Sequence, residues 1–314
     1  MRALSRLQRR GRMQRSFLEC PSGPCRLTTT TMLRSELDSV PSTAAARATG
    51  VGYPAATAAV AAHAISTDSS GLVAGAVTIA AGDFALPAYR ARPEGDGPFP
   101  IIVVVSEIFG VHEYIADVAR RLARLGYLAV APELFVRQGD AKATSDIDTL
   151  FATIISKVPD AQVMADLDAS VAWARSNGGD PARLGITGFC WGGRATWLYA
   201  AHNPALKAGV AWYGRLVGAT TPLQPTQPIE VADRLHAPVL GLYGGADAGI
   251  PLESVERMKA ALARGSDAAR RSQFFVYPDA KHAFHADYRP NYDAGAARDG
   301  WQRCLDWLRA HGVA

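Results

Sequence analysis

The chain has 314 residues, 48% of them hydrophobic and 20% charged, the balance of an ordinary globular protein. No stretch of about 18 or more strongly apolar residues occurs, which excludes a plain membrane-spanning helix. The formal charge of +4 is uneven: residues 1–34 hold eight arginines against Glu19, a local +7, so the remaining 280 residues sum to about −3 and offer no basic stripe for nucleic acid.

Residues 1–65 read as a leader, Arg-rich, then Thr/Ser-rich, then Ala/Val/Gly-rich, with no firm helical or strand period. Two readings stay open. One is a disordered tail on a cytoplasmic protein. The other is an export signal, because Arg47, the weakly apolar stretch 50–61 and then Ala62-His63-Ala64 follow the basic, apolar, small-x-small order of a secretory leader. Cleavage after Ala64 would place the protein in the periplasm.

From residue 66 to 314 a single domain is expected, in which strand and helix signals alternate. Residues 77–81 and 85–90 form a predicted strand pair across Gly82-Asp83. Residues 100–106 are a near-continuous β-branched run, as in a strand buried on both faces. Ile115, Val118, Leu122 and Leu125 recur at helical spacing, with Arg120, Arg121 and Arg124 on the other face and Gly126 as a stop. A strand at 127–131 follows, then a helix marked by Met164, Leu167 and Val171, then a turn at Asp180-Pro181. Residues 184–188, 208–213, 239–243 and 273–277 are four more short strands. A last helix puts Trp301, Cys304, Leu305 and Leu308 on one face. This alternation predicts an α/β fold, a mostly parallel sheet flanked by helices on both faces.

The four cysteines, Cys20, Cys25, Cys190 and Cys304, do not make a disulfide scaffold in a chain of this size. No Cys/His group has zinc-ligand spacing, and neither a metal nor another cofactor is expected. Cys190 stands apart from the others. A strand runs into Gly188-Phe189-Cys190-Trp191-Gly192 and a helix pattern follows, the nucleophile elbow of α/β-hydrolases with Cys in place of Ser. The start of that helix favours a thiolate and a developing oxyanion. A nucleophile needs a base, and the base an orienting acid. Asp247 directly follows the strand at 239–243, and His282 the strand at 273–277, in the chain order this fold uses. His285 is the rival base; His112 and His63 fall in worse places. Ser106-Glu107-Ile108 ends the strand at 100–106, so the N–H groups of Ile108 and Trp191 are the expected oxyanion donors.

With these stretches in view, residues 70–312 resemble the dienelactone hydrolase family (carboxymethylenebutenolidases). The resemblance lies in Glu107-Ile108-Phe109-Gly110-Val111, Pro132-Glu133-Leu134-Phe135 with Arg137-Gln138, Gly188-Phe189-Cys190-Trp191-Gly192-Gly193, Trp212-Tyr213-Gly214, Tyr243-Gly244-Gly245-Ala246-Asp247 and His282-Ala283-Phe284. It implies an α/β-hydrolase fold, a Cys190-His282-Asp247 triad, and a Glu, here Glu107, that holds the resting thiol and exchanges its contact when substrate binds. Phe109, Arg137 and Tyr213 are the candidate substrate-binding side chains. The family also holds its substrate carboxylate with two arginines. Here Ala286 occupies one of those positions, and residues 141–158 contain no arginine for the other. Arg194, Arg215 and Arg289 are the possible substitutes. The expected function is hydrolysis of a small-molecule ester or lactone through a thioester, by a monomer or small homo-oligomer. A general carboxylesterase or thioesterase, and a non-catalytic binding protein of the same fold, are the alternatives. For the leader, the intact mass of protein from its native host separates the two readings: a chain starting at Ile65 marks export, and one retaining residues 1–64 excludes it.

Overall fold

The structure is a computed structural model that describes residues 64–143 and 146–314. The expectations for Cys20, Cys25 and the leader up to His63 lie outside the described residues. Strands β1 (Leu72–Ala81) and β2 (Phe84–Pro93) pair antiparallel around Gly82 and Asp83, each longer than the sequence pattern indicated. Gly82 has φ of +65°, a left-handed conformation that glycine adopts without steric cost. Then β2 pairs antiparallel with β4 (Leu128–Pro132). From there β3 (Phe99–Val105), β5 (Gly179–Phe189), β6 (Ala208–Trp212), β7 (Val239–Gly244) and β8 (Gln273–Tyr277) complete a parallel array. The sheet order is β1-β2-β4-β3-β5-β6-β7-β8, that of an α/β-hydrolase.

Helices α1 (Glu113–Arg124), α2 (Ile147–Thr153), α3 (Asp160–Ser176), α4 (Trp191–His202), α5 (Leu252–Leu262), α6 (Asp267–Arg271) and α7 (Ala294–Ala310) connect or follow the strands. Glycines in the sheet show which helix covers which face. A side chain at Gly185 would strike Leu308 and Val313 at the end of α7, and one at Gly209 would press Thr196 of α4. Gly209 pairs with Ile186, one residue after Gly185, so the two positions face opposite ways. Helices α4 and α7 therefore cover opposite faces. Between them Ile101, Ile102, Val103, Val104 and Val105 are fully buried, which is why the β-branched run needs no polar alternation.

Three expectations need correction. Asp180-Pro181 does not end an element: it lies inside β5, where the partner of β3 jumps from Asp180 to Leu184. Pro181 has no N–H for a ladder bond, so the strand bulges there rather than stopping. In α1, Leu125 is the C-cap and exposed, while Arg120 on the supposed outer face is buried. The segment entering the domain crosses that face: Thr67 donates its N–H to Asp117, and the Arg120 Nε donates to the Thr67 carbonyl at 2.7 Å. Asp117 also holds Arg121, which reaches on to Asp287. In α7, Cys304 and Leu308 are buried as expected, but Trp307 is buried with them while Trp301 and Leu305 are only half-buried.

Asp117 is thus a buried carboxylate on which two arginines and one backbone amide converge. Its removal leaves Arg120 buried and short of a partner. Asp117→Ala is expected to cost about 3 kcal/mol or more, read as a lower urea midpoint at unchanged m-value; a loss under about 1 kcal/mol would show these pairs to be screened by solvent.

Candidate active site

The chain passes from β5 to α4 through one residue. Cys190 has φ of 55° and ψ of −112°, a conformation that L side chains rarely take. Such strain costs on the order of 1–3 kcal/mol and persists only where packing enforces it. The enforcement is visible in four glycines. A Cβ on Gly188 would lie 2.1 Å from the Gly192 carbonyl oxygen, and one on Gly192 would lie 2.3 Å from the Val105 oxygen. Gly193 and Gly214 touch backbone to backbone in the same way, with a Gly214 Cβ 2.4 Å from the Gly193 carbonyl carbon. The Cys190 N–H donates to the Trp212 oxygen at 3.0 Å. The first turn of α4 is thereby pressed between the ends of β3 and β6.

That pressure brings the loop after β3 beside the cysteine. Glu133 pins this loop, accepting the Val111 N–H at 3.0 Å, and a Cβ at Gly110 would lie 2.7 Å from the same carboxylate oxygen. Gly193 and Arg194 donate their N–H groups back to the Cys190 carbonyl at 3.0 and 3.2 Å. Among the described residues, the N–H groups of Ile108 and Trp191 donate to no backbone acceptor. Both residues line the cavity that Cys190 also lines.

The loops after β7 and β8 meet through another glycine pair. A Cβ on Gly244 would lie 2.3 Å from the Ala280 oxygen, and one on Gly245 would lie 2.4 Å from the Pro278 oxygen. Without side chains there, Gly245 donates to Tyr277 at 2.7 Å and Ala246 to Ala280 at 3.0 Å. Asp247 and His282 are the result, bonded Oδ2 to Nδ1 at 2.7 Å and both buried. Gly249 donates to the other Asp247 oxygen at 2.8 Å, so both carboxylate oxygens are engaged. Burial opposes charge on His282. The interaction with the neighbouring Cys190 sulfur and with the Asp247 carboxylate outweighs that and raises its pKa to about 10. The structure therefore brings Cys190, His282 and Asp247 together. His285 is turned elsewhere: Tyr114 Oη lies 2.6 Å from its Nδ1, and its ring stacks on Phe189. Burial and the nearby Arg121 charge lower its pKa to about 3, so it stays neutral near pH 7.

Glu107 is 2% exposed. Its Oε2 accepts from the Tyr288 hydroxyl at 2.8 Å and lies 3.6 Å from His112 Nε2 and 3.8 Å from Arg289 Nη2. Burial would raise its pKa, but the Arg289 charge, His112 and the Tyr288 hydroxyl pull it down to about 2. In this arrangement the thiol's partner is His282, while Glu107 is engaged by Tyr288, Arg289 and His112. Sequence reasoning passed over Tyr288 and set His112 aside. His112 lies in the same short loop as Glu107, a proximity that could have flagged it; Tyr288 carries no comparable signal.

The cavity at Cys190 has a volume of about 190 Å³. Ile108, Phe151, Ile155, Trp191 and Tyr213 give it apolar walls, and Arg194 and Arg215 are its cations. Tyr213 lines this cavity, with its ring edge-on to His282 at 5.2 Å. Arg137 does not line this cavity: it pairs with Asp166 through both guanidinium nitrogens and lies over the Phe84 ring at 4.1 Å. The buried Asp166 carboxylate needs a counter-charge, and Arg137 supplies it. Phe109 is likewise outside the cavity wall, covered by the Arg289 guanidinium at 4.5 Å. Ala286, at the position of a family arginine, is fully buried.

The model of the dienelactone hydrolase family matches residues 86–312. A protein of Methylorubrum extorquens named "Putative carboxymethylenebutenolidase" is 62% identical over 251 residues, covering 80% of this chain and 85% of that protein. A Bradyrhizobium protein named "Probable 2-oxo-3-(5-oxofuran-2-ylidene)propanoate lactonase" is 32% identical over 227 residues, 71% of this chain and 89% of its own length. The crystal structure of a "Putative Dienelactone Hydrolase" from Klebsiella pneumoniae, 57% identical, superposes with a TM-score of 0.73 and covers 76% of this chain and 98% of that one. On the strength of the family match and of these identities, the chain belongs to the dienelactone hydrolase family.

Proposed function

We propose that this carboxylic ester hydrolase opens an ester or lactone by covalent catalysis, with Cys190 as nucleophile, His282 as its proton partner and Asp247 as the group that orients His282. The observation that carries the reading is the chain of contacts from the Cys190 sulfur through His282 to the buried Asp247 carboxylate, at a strained elbow facing a cavity. His282 takes the thiol proton, and the ion pair is stabilised by Asp247. The thiolate attacks the substrate carbonyl carbon. The oxyanion that forms sits on the N–H groups of Ile108 and Trp191, donors worth about 2.7–4 kcal/mol each in comparable sites. Collapse breaks the carbonyl–oxygen bond: the departing alkoxide or enolate oxygen takes the proton from the His282 imidazolium, which leaves a thioester on Cys190 and a neutral His282. Water attacks the thioester, His282 takes its proton, and the acid is released as the thiol re-forms. A thiolate is itself easily expelled from the tetrahedral intermediate, which favours activated esters and enol lactones over plain alkyl esters.

Glu107 fits a supporting role. With the sulfur on His282 and Glu107 on Tyr288 and Arg289, the arrangement matches the reactive half of an exchange in which Glu107 holds the thiol at rest. A lactone substrate is further supported by the lactonase name of the Bradyrhizobium relative.

Replacing Cys190 with Ala is expected to lower hydrolysis of p-nitrophenyl acetate and of a cis-dienelactone by roughly 1,000-fold or more. Equal rates for the two proteins would remove the covalent reading. Of the two described thiols, Cys304 is fully buried and pushed up to about 12 by burial, so iodoacetamide should mark Cys190 first in a peptide map.

The pH dependence has a definite sign. A raised His282 pKa means the imidazolium persists through neutral pH and is lost as pH rises through about 10. The alkaline limb of kcat/KM should therefore fall near that value. In Asp247→Asn the limb should move to lower pH, because the carboxylate that favours the imidazolium is gone. An unmoved limb would count against Asp247 as the orienting acid.

A further inference from the structure

The loop after β3 carries the Ile108 N–H, yet its own backbone does not fix its shape. Among the described residues, no N–H or carbonyl of residues 107–109 is bonded to another backbone group. Packing holds the root of the loop, where Gly192 lies against the Val105 and Ser106 oxygens. Glu133 holds its far end at Val111. Between these points, the peptide that joins Glu107 to Ile108 must be set by side chains.

Those side chains converge from one place, the turns just after His282. The Tyr288 hydroxyl donates to Glu107 Oε2 at 2.8 Å. Arg289 donates to that hydroxyl in turn, and its guanidinium lies 3.8 Å from the same carboxylate oxygen. The same guanidinium covers the Phe109 ring at 4.5 Å. Arg289 therefore grips the residue before Ile108 and the residue after it. His112, at the start of α1, closes the cluster, with Nε2 3.2 Å from the Tyr288 hydroxyl and its ring edge-on to Tyr288 at 4.9 Å. Glu107, Tyr288 and Arg289 are all buried, so water does not loosen these contacts.

The gripping segment is itself rigid. Ala286 donates to Ala283 and Arg289 to Ala286, each at 3.0 Å, and Asp293 donates to Phe284 at 2.9 Å. Asn291 Nδ2 donates to the His282 carbonyl at 3.1 Å, and Asp287 is tied to Arg121 of α1. The backbone that carries the base thus also carries the clamp on the loop of Ile108. Neither Tyr288 nor Arg289 lines the cavity, so each acts through that loop.

We propose that Tyr288 and Arg289 are positioning residues for the oxyanion hole: by holding Glu107 and Phe109 they set the Ile108 N–H where the substrate's carbonyl oxygen becomes negative, in register with Cys190 and His282. The proposal rests on the hydrolase reading of Cys190 and gives the partners of Glu107 a task separate from the thiol. Misplacement by about 1 Å can cost on the order of 100-fold in rate, because the donor must meet the charge as it forms.

Three reactions of one variant separate this task from others. Tyr288→Phe removes a single hydroxyl from the clamp. In p-nitrophenyl acetate the carbonyl oxygen becomes the oxyanion. In p-nitrophenyl thionoacetate a sulfur takes its place and accepts hydrogen bonds poorly. Iodoacetamide alkylates Cys190 by displacement of iodide, with no oxyanion at all. Tyr288→Phe is expected to lower kcat/KM for the ester roughly 10-fold or more, through kcat, while the thionoester and alkylation rates change by less than about three-fold. Arg289→Lys keeps a cation beside Glu107 but not the flat cover on Phe109, and should give the same pattern. An ester rate unchanged within about two-fold in Tyr288→Phe overturns the proposal. So does an equal fall in all three reactions, which would mean that the hydroxyl acts on the thiol or on the fold. If Tyr288→Phe does not accumulate as folded protein, the same three rates in Arg289→Lys decide. Equal ester turnover by wild type and Cys190→Ala would instead sink the hydrolase reading, and that comparison is made before any clamp variant is tested.

Discussion

The site depends on one steric constraint, the closeness of backbones around Cys190. Residues 188, 192, 193 and 214 come within distances that no Cβ would tolerate. Three consequences follow from that closeness. The cysteine is forced into a positive-φ conformation and projects at the end of the sheet. The first turn of α4 lies against the end of β3, so two free N–H groups come to one cavity. The chain after β6 is pulled against α4, which sets Arg215 at the same place. Strain at Cys190 is tolerable because several strand ends share in enforcing it.

A second closeness joins the acid and the base. Gly244 and Gly245 let the loop after β7 lie on the loop after β8, and the Asp247–His282 bond is the outcome. Both side chains are buried, so each would be costly alone. Together with the Cys190 sulfur they form a set in which every charge has a partner. Glu107 obeys the same rule by a different route, with Tyr288, His112 and Arg289 around it. Low polarity makes these contacts strong and makes the loss of any one partner expensive.

Most cations near the site are accounted for by this demand. The buried carboxylates of Asp117, Asp166 and Glu107 and the half-buried one of Asp160 take Arg120, Arg121, Arg137, Arg194 and Arg289. What distinguishes Arg215 is that no acid of the described residues competes for it.

The sequence alone determined the parallel sheet, the elbow, and the order of Cys190, Asp247 and His282 at strand ends. These are legible because each depends on neighbours within about ten residues: a β-branched run, a glycine before and after the cysteine, a strand ending just ahead of a polar side chain. The antiparallel hairpin at the sheet edge was legible for the same reason. Tertiary structure decided everything that turns on distant partners. Arg120 reads as an exposed helix residue until the segment around Thr67 covers it from 53 positions away. Glu107 finds Tyr288 across 181 positions, and Arg137 finds Asp166 across 29. Periodicity reports which face of an element is apolar; it carries no information about which charge will meet which once the elements pack. The assignment of the arginines, and with it the one left facing Cys190, could be made only from the folded chain.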